Sequence, residues 1–161
     1  MTNNCGECTA CCRVFEIPAL NKAAGRWCEH CLIGKGCLIY EEERRPKVCS
    51  DFKCFWLLSQ ERENPRERLA PEMRPDKSKV VLSPTTNENV IAATTMPGAP
   101  LAHLRPDIMV LIKHLNSGGM CVVVGQPRST RRTLYDKNGS HEVTLTEPDE
   151  TGMQYSVEKQ C

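Results

Sequence analysis

Nine cysteines lie in the first third of this 161-residue chain, and four of them fall within the eight-residue stretch CGECTACC. A thiolate can act as a nucleophile, as a disulfide partner or as a ligand for a soft metal ion. Spacing and surroundings must therefore decide which chemistry applies. The candidate metal ligands are Cys5, Cys8, Cys11, Cys12, Cys28, Cys31, Cys37, Cys49 and Cys54.

The spacing favours a metal. Two residues between cysteines form a tight turn that directs both sulfurs to one ion, as in Cys8-x2-Cys11 and Cys28-x2-Cys31. Cys11 and Cys12 are neighbours with diverging side chains, so we expect them to serve two adjacent ions. Nine thiols exceed the roughly eight that two closed zinc sites would use. Two separate sites with a spare thiol, or one polynuclear cluster with bridging sulfurs, would both account for this excess.

A disulfide framework is the alternative interpretation of so many cysteines. The stretch Met-Thr-Asn-Asn-Cys lacks the basic and apolar regions of a secretory signal, which favours a cytoplasmic protein with reduced thiols. No apolar run approaches the ~20 residues that span a bilayer, so we expect no membrane partner. Nine is also an odd number. We expect the two remaining cysteines to be a buried apolar residue (Cys121) and a free, mobile thiol (Cys161).

The charge balance disfavours nucleic acid as a partner. The chain carries 21 basic and 20 acidic residues, and residues 1–57 carry eight and seven of them. Nine thiolates would bring that segment to −4 with two zinc ions and to −2 with three. An acidic module would repel the phosphates that a nucleic-acid-binding protein must neutralise. The expected partner is instead a protein or a small molecule whose identity the sequence does not give.

The ordered pattern over residues 5–56 resembles the YkgJ-type cysteine-cluster family, which carries a CxxCxxCC signature and is described as zinc- or iron-chelating. Residues 69–81 also look like the segment that follows the cluster in longer members. The resemblance implies metal or cluster binding but no agreed reaction. A related cluster in flagellin lysine N-methylases accompanies a methyltransferase and is an iron–sulfur cluster. Beside the cysteines, the matching positions are Arg13, Ile17, Pro18, Lys22, Gly25, Trp27, Gly36, Tyr40, Arg45, Pro46, Phe52 and Trp56.

Three functions are compatible with these residues. The first is zinc binding with a mainly structural role, because closed thiolate sites leave no position for a reactive water. The second is an iron or iron–sulfur site with a redox or enzyme-accessory role. The third is a metal carrier that passes metal on through a spare thiol. The chain contains no GxGxxG, Walker lysine, HExxH or GxSxG pattern, so the sequence assigns no catalytic residue and no reaction.

The elements that must position these cysteines divide the chain into three parts. Residues 1–57 form the predicted metal-stapled module, in which the aromatic rings supply a small core. Residues 58–78 are charged and proline-punctuated, which is typical of a connecting segment. Residues 79–161 are predicted to be a small α+β part, with antiparallel strands and one main helix, packed against the module. The fold class is therefore α+β.

Hydrophobic patterns place the elements of this last part. A helix begins near Arg105-Pro106-Asp107, with proline suited to its first turn. Ile108, Leu111, Ile112 and Leu115 lie on one face of that helix. A hairpin is predicted around Asp136-Lys-Asn-Gly139. The predicted strands cover residues 79–82, 89–95, 120–124, 130–135, 141–146 and 153–158.

Overall fold

The computed structural model describes residues 5–144. Within this range the chain is mixed α+β, with five α-helices and two sheets. The α-helices are α1 (Cys11–Val14), α2 (Lys47–Asp51), α3 (Phe55–Gln60), α4 (Pro75–Ser78) and α5 (Pro106–Ser117). The strands are β1 (Cys31–Leu32), β2 (Gly36–Cys37), β3 (Val80–Pro84), β4 (Val90–Thr95), β5 (Cys121–Gly125), β6 (Arg131–Asp136) and β7 (Gly139–Thr144). Short 3-10 helices cover Pro18–Leu20, Pro65–Glu67, Pro71–Met73 and Ala102–Leu104.

The main sheet has the strand order β3-β4-β5-β6-β7. Each of these strands begins and ends within two residues of the segment predicted for it. The runs are rich in β-branched residues, and β4 is buried along its whole length. The tight turn between β6 and β7 forms where predicted, with Asp136 opposite Gly139. The predicted strand over 153–158 lies outside the described residues.

One pairing differs from the prediction. We expected antiparallel strands, but β4 and β5 run parallel, with Val90 opposite Cys121. A parallel pair requires a connection that carries the chain back along the sheet, and α5 provides it between these two strands. The helix was predicted at its correct place, yet its role as a crossover does not follow from its own periodicity.

The main core lies between α5 and the sheet. Pro106 is the first residue of the helix, as predicted. Ile108 and Ile112 are fully buried against strands β3, β4 and β5, while Leu111 and Leu115 pack at the margin of the same cluster. The predicted apolar face of the helix is therefore confirmed.

A second apolar cluster joins the cysteine-rich segment to the sheet. Ala10, Val14 and Leu57 are buried there together with Val81 of β3 and Met96, which follows β4. We call this cluster the seam. No helix among residues 5–144 is long and apolar enough to cross a membrane.

The buried face of α5 predicts how substitutions on this helix will behave. Ile112→Ala should lower the free energy of unfolding by about 3 kcal/mol, because it leaves a cavity at a fully buried position. Val110→Ala is the matched control, since Val110 is 67% exposed on the same helix and should change stability by less than about 0.5 kcal/mol. Urea denaturation followed by circular dichroism measures both values. Equal losses would contradict the placement of the core.

Candidate metal centre

The segment with four cysteines, residues 5–12, is called the cysteine strip. It opens with a turn in which the backbone N–H of Cys8 donates to the carbonyl of Cys5 at 3.0 Å. Helix α1 then begins at Cys11 and lasts little more than one turn. Successive residues of an α-helix are rotated by about 100°. The thiols of Cys11 and Cys12 nevertheless lie close enough to share a hydrogen bond, so the divergence expected from the sequence is not seen. The two neighbours differ in that Cys12 also shares a hydrogen bond with Cys31.

The remaining cysteines reach the strip through backbone contacts and short elements. The N–H of Cys28 donates to the carbonyl of Cys12 at 3.1 Å, and the N–H of Cys31 donates to Cys28 at 3.0 Å. The two-stranded sheet places Cys31 directly opposite Cys37. Cys49 lies within α2.

Cys54 immediately precedes α3, as its N-cap residue. Burial raises the pKa of its thiol, and the nearby backbone N–H groups of Leu57 and Trp56 oppose that rise.

Eight of the nine cysteines line a single cavity of about 90 Å³, which we call the thiol cavity. The ninth, Cys31, lies next to it and shares a side-chain hydrogen bond with Cys12. All nine are free thiols. The eight lining cysteines are Cys5, Cys8, Cys11, Cys12, Cys28, Cys37, Cys49 and Cys54.

The thiols share a cavity without forming a finished coordination shell. Across residues 5–144, no group of three or more His, Cys, Asp or Glu side chains is arranged so that it could hold a metal ion as it stands. The chemistry of the donor set nevertheless fits a thiophilic metal, because eight soft sulfur donors line one space and a ninth lies next to it. A metal would have to draw the sulfurs closer together.

Most of these thiols hold their protons tightly. Burial raises the pKa of Cys5 and of Cys8 to about 11, and neighbouring thiols add to the effect. Burial likewise raises the pKa of Cys31 to about 12. The pKa of Cys12 is raised further, chiefly by its hydrogen bond with Cys11 and then by burial. At neutral pH these side chains are therefore neutral thiols.

Lys22 places a buried positive charge beside the thiols. It is only 7% exposed, and its Nζ donates to the carbonyls of Phe15 and of Arg13, the latter at 3.1 Å. Burial lowers the pKa of this lysine, whereas charge on Cys12 or Cys28 would raise it. The charged form of Lys22 is therefore stabilised when the neighbouring thiols ionise. Lys22 is also one of the positions at which the sequence resembles the YkgJ-type family.

Arg45 is a second cation at the thiol cavity, a role that was not predicted from the sequence. Its guanidinium stacks over the ring of Tyr40 with 4.0 Å to the centroid and donates to the carbonyl of Cys49 at 2.7 Å. It opposes the burial that raises the pKa of Cys5 and Cys37. In the sequence, the feature that pointed to a role for Arg45 was its place among the positions that resemble the YkgJ-type family.

Other candidate residues lie away from the thiol cavity. His30 is not among the residues lining it and lies 3.4 Å from a carboxylate oxygen of Glu29. Cys121 is 3% exposed in β5, as predicted, but it is disulfide-bonded rather than a free thiol, which the sequence analysis did not expect. Cys161 lies outside the described residues.

Comparison with known proteins adds no relative. No protein-family model, curated protein or solved structure matches the chain.

The raised thiol pKa values predict how many protons zinc will displace. Adding zinc to the reduced, metal-free protein at about pH 7.5 should release about nine protons per chain, because each free thiol loses its proton on ligation. Since the pKa values of Cys5, Cys8 and Cys31 lie at about 11 to 12, the release should shrink only as the pH rises through that range. A pH-indicator dye in weak buffer measures the release. Fewer than about four protons would show that most of the thiols are not ligands.

The buried charge of Lys22 predicts a second effect. Lys22→Met should weaken zinc affinity by about tenfold, because the thiolates lose a compensating charge and two carbonyls lose their donor. Lys35→Met is the matched control, since Lys35 is exposed in the turn between β1 and β2. Competition with a chromophoric zinc chelator measures both affinities. Equal losses in the two variants would remove the special role of Lys22.

Proposed function

We propose that this chain binds zinc through one polynuclear thiolate cluster that holds residues 1–57 together. The observation that carries the proposal is the convergence of eight free thiols on one cavity, with the ninth hydrogen-bonded to one of them. The proposed ligands are the nine cysteines of residues 5–54. The resemblance to YkgJ-type proteins supports the same chemistry, and membership of that family is part of the proposal.

A single cavity favours three zinc ions. Three tetrahedral ions require about twelve zinc–sulfur bonds, and nine thiolates supply twelve when three of them bridge two ions. Two separate four-cysteine sites would instead divide the thiols into two groups and leave one over. With three ions the net charge of the module is −2, compared with −4 for two ions. The three-ion cluster therefore leaves less uncompensated negative charge on buried sulfur.

The metal would act mainly on folding. The helices of the cysteine-rich segment are four to six residues long and its strands have two residues each. Elements of this size bury little surface, so ligand bonds would supply much of the folding free energy. Sulfur ligation at every position leaves no open position for water, which favours recognition of a partner over catalysis.

An iron–sulfur cluster is the second candidate. The backbone N–H groups of Leu57 and Trp56 oppose the rise that burial causes in the pKa of Cys54, and N–H groups next to cluster sulfurs help to set the potential of iron–sulfur clusters. The same N–H groups would also stabilise a thiolate bound to zinc. Anaerobic purification, metal analysis and a visible spectrum separate the two candidates. We expect about three zinc ions per chain and no visible absorption, whereas a brown protein containing iron and sulfide would favour the second candidate.

The adjacent cysteines give the sharpest test of the cluster. Cys11→Ser and Cys12→Ser should each lower the zinc content, and the double variant should lower it further, because these two neighbouring thiolates of α1 are proposed to bind different ions of the cluster. Replacing Cys121 and Cys161 together by serine is the control and should leave the zinc content unchanged. Mass spectrometry under native conditions counts the ions.

A different outcome would redirect the proposal. If one of the two single variants keeps full zinc content and stability, that cysteine is a spare thiol. A protein that then loses zinc to a weak chelator while staying folded would be a metal carrier. Two zinc ions per chain would support separate sites instead of one cluster.

A further inference from the structure

The cysteine strip also contributes to a second cavity. The residues between and after its cysteines, namely Glu7, Thr9, Ala10 and Arg13, line a space of about 450 Å³ that is distinct from the thiol cavity. We call it the Arg13 cavity. Its size falls within the range of pockets that hold small molecules.

The walls of the Arg13 cavity come from five separate segments. Trp27 and Met96 supply apolar surface, and the turn between β1 and β2 closes one side through Ile33. The loop that follows β4 contributes Gly98, where open space surrounds the position of a missing side chain. The site therefore depends on the folded structure and leaves no continuous motif in the sequence.

Arg13 is the polar group in this cavity that most clearly lacks a partner. Its guanidinium lies over the ring of Trp27, with 5.2 Å to the centroid. Its Nε has no hydrogen-bond acceptor among the described residues. Because that atom is itself sealed from solvent, a ligand in the cavity would reach the guanidinium through its terminal nitrogens. A buried donor on a charged group ordinarily has an acceptor, and a planar guanidinium matches a carboxylate especially well.

The neighbouring charges indicate the charge of the missing acceptor. Asp76 is already held by Arg74 through two hydrogen bonds of 2.6 and 2.8 Å. Lys79 supplies a further cation at the rim, and Glu7 a second carboxylate. A ligand with one negative charge would satisfy Arg13, whereas a doubly charged phosphate would meet repulsion from the two carboxylates.

We propose that the Arg13 cavity binds a small monoanionic carboxylate with a flat apolar body. The carboxylate pairs with the guanidinium of Arg13, and the apolar body lies against Trp27 and Met96. This proposal is independent of the proposed zinc cluster, because none of the lining residues is a proposed zinc ligand.

Benzoate is the probe that tests this site. The protein as purified, labelled with ¹⁵N, is titrated while the two tryptophan indole N–H signals are followed by NMR; Trp56→Phe assigns them. Benzoate should shift the Trp27 signal in a saturable manner. Trp56 does not line the cavity, so its signal is the internal reference. Benzamide, a neutral probe of the same shape, should bind at least tenfold more weakly, and so should phenyl phosphate.

Variants of two nearby arginines identify the group responsible. Arg13→Gln should weaken benzoate at least tenfold, because a charge-assisted pair is lost. Arg26→Gln, which removes an exposed charge from the same segment, should leave the affinity unchanged within about twofold. If Arg13→Gln disturbs the fold, Arg13→Lys tests the same point, since it keeps the charge but loses the planar fork and should bind with intermediate affinity. Equal shifts with benzamide, equal losses in both glutamine variants, or no saturable shift would overturn the proposal.

Discussion

Burial of sulfur without charge is the constraint on which the cysteine-rich segment depends. Nine thiols crowd together in a partly dry environment, where ionisation is costly, and most of them consequently have raised pKa values. Such a cluster can exist as neutral thiols or as thiolates balanced by cations. Lys22 and Arg45 supply part of that balance from the protein, and a metal would supply the rest. The same burial that suppresses ionisation in the protein alone would strengthen the attraction between thiolate and metal.

The two cations do more than adjust charge. Each also binds backbone carbonyls: Lys22 those of Arg13 and Phe15, and Arg45 those of Tyr40 and Cys49. They therefore connect the loops that carry the thiols, where regular secondary structure is almost absent. Helix α1 provides thiols to the thiol cavity and a guanidinium to the Arg13 cavity. A shift of this helical turn would therefore change the shape of both cavities.

The sequence predicted the parts of the fold that local patterns determine. Ile108 and Ile112 on one helical face, and the β-branched runs of the strands, were sufficient to place α5 and the main sheet. Strand direction was not predictable locally, which is why the parallel pair of β4 and β5 was missed. The cysteines were candidates from spacing alone, but their convergence on one cavity is a tertiary property. The Arg13 cavity was missed for the same reason, since its walls come from segments that are distant in sequence. Arg45 binds the nearby residues Tyr40 and Cys49, but its effect on Cys5 depends on the tertiary fold.

The seam has a consequence for anyone who wishes to divide this chain. Val81 belongs to β3 by its hydrogen bonds, yet its side chain lies in the cluster with Val14 and Leu57 and also lines the thiol cavity. Separating the two parts at the proline-rich connection would therefore expose apolar side chains to water on both the sheet and the cysteine-rich segment. Transplanting the cluster into another scaffold would require a β-strand edge with a valine and a methionine in equivalent places. The main sheet thus forms part of the wall of the thiol cavity.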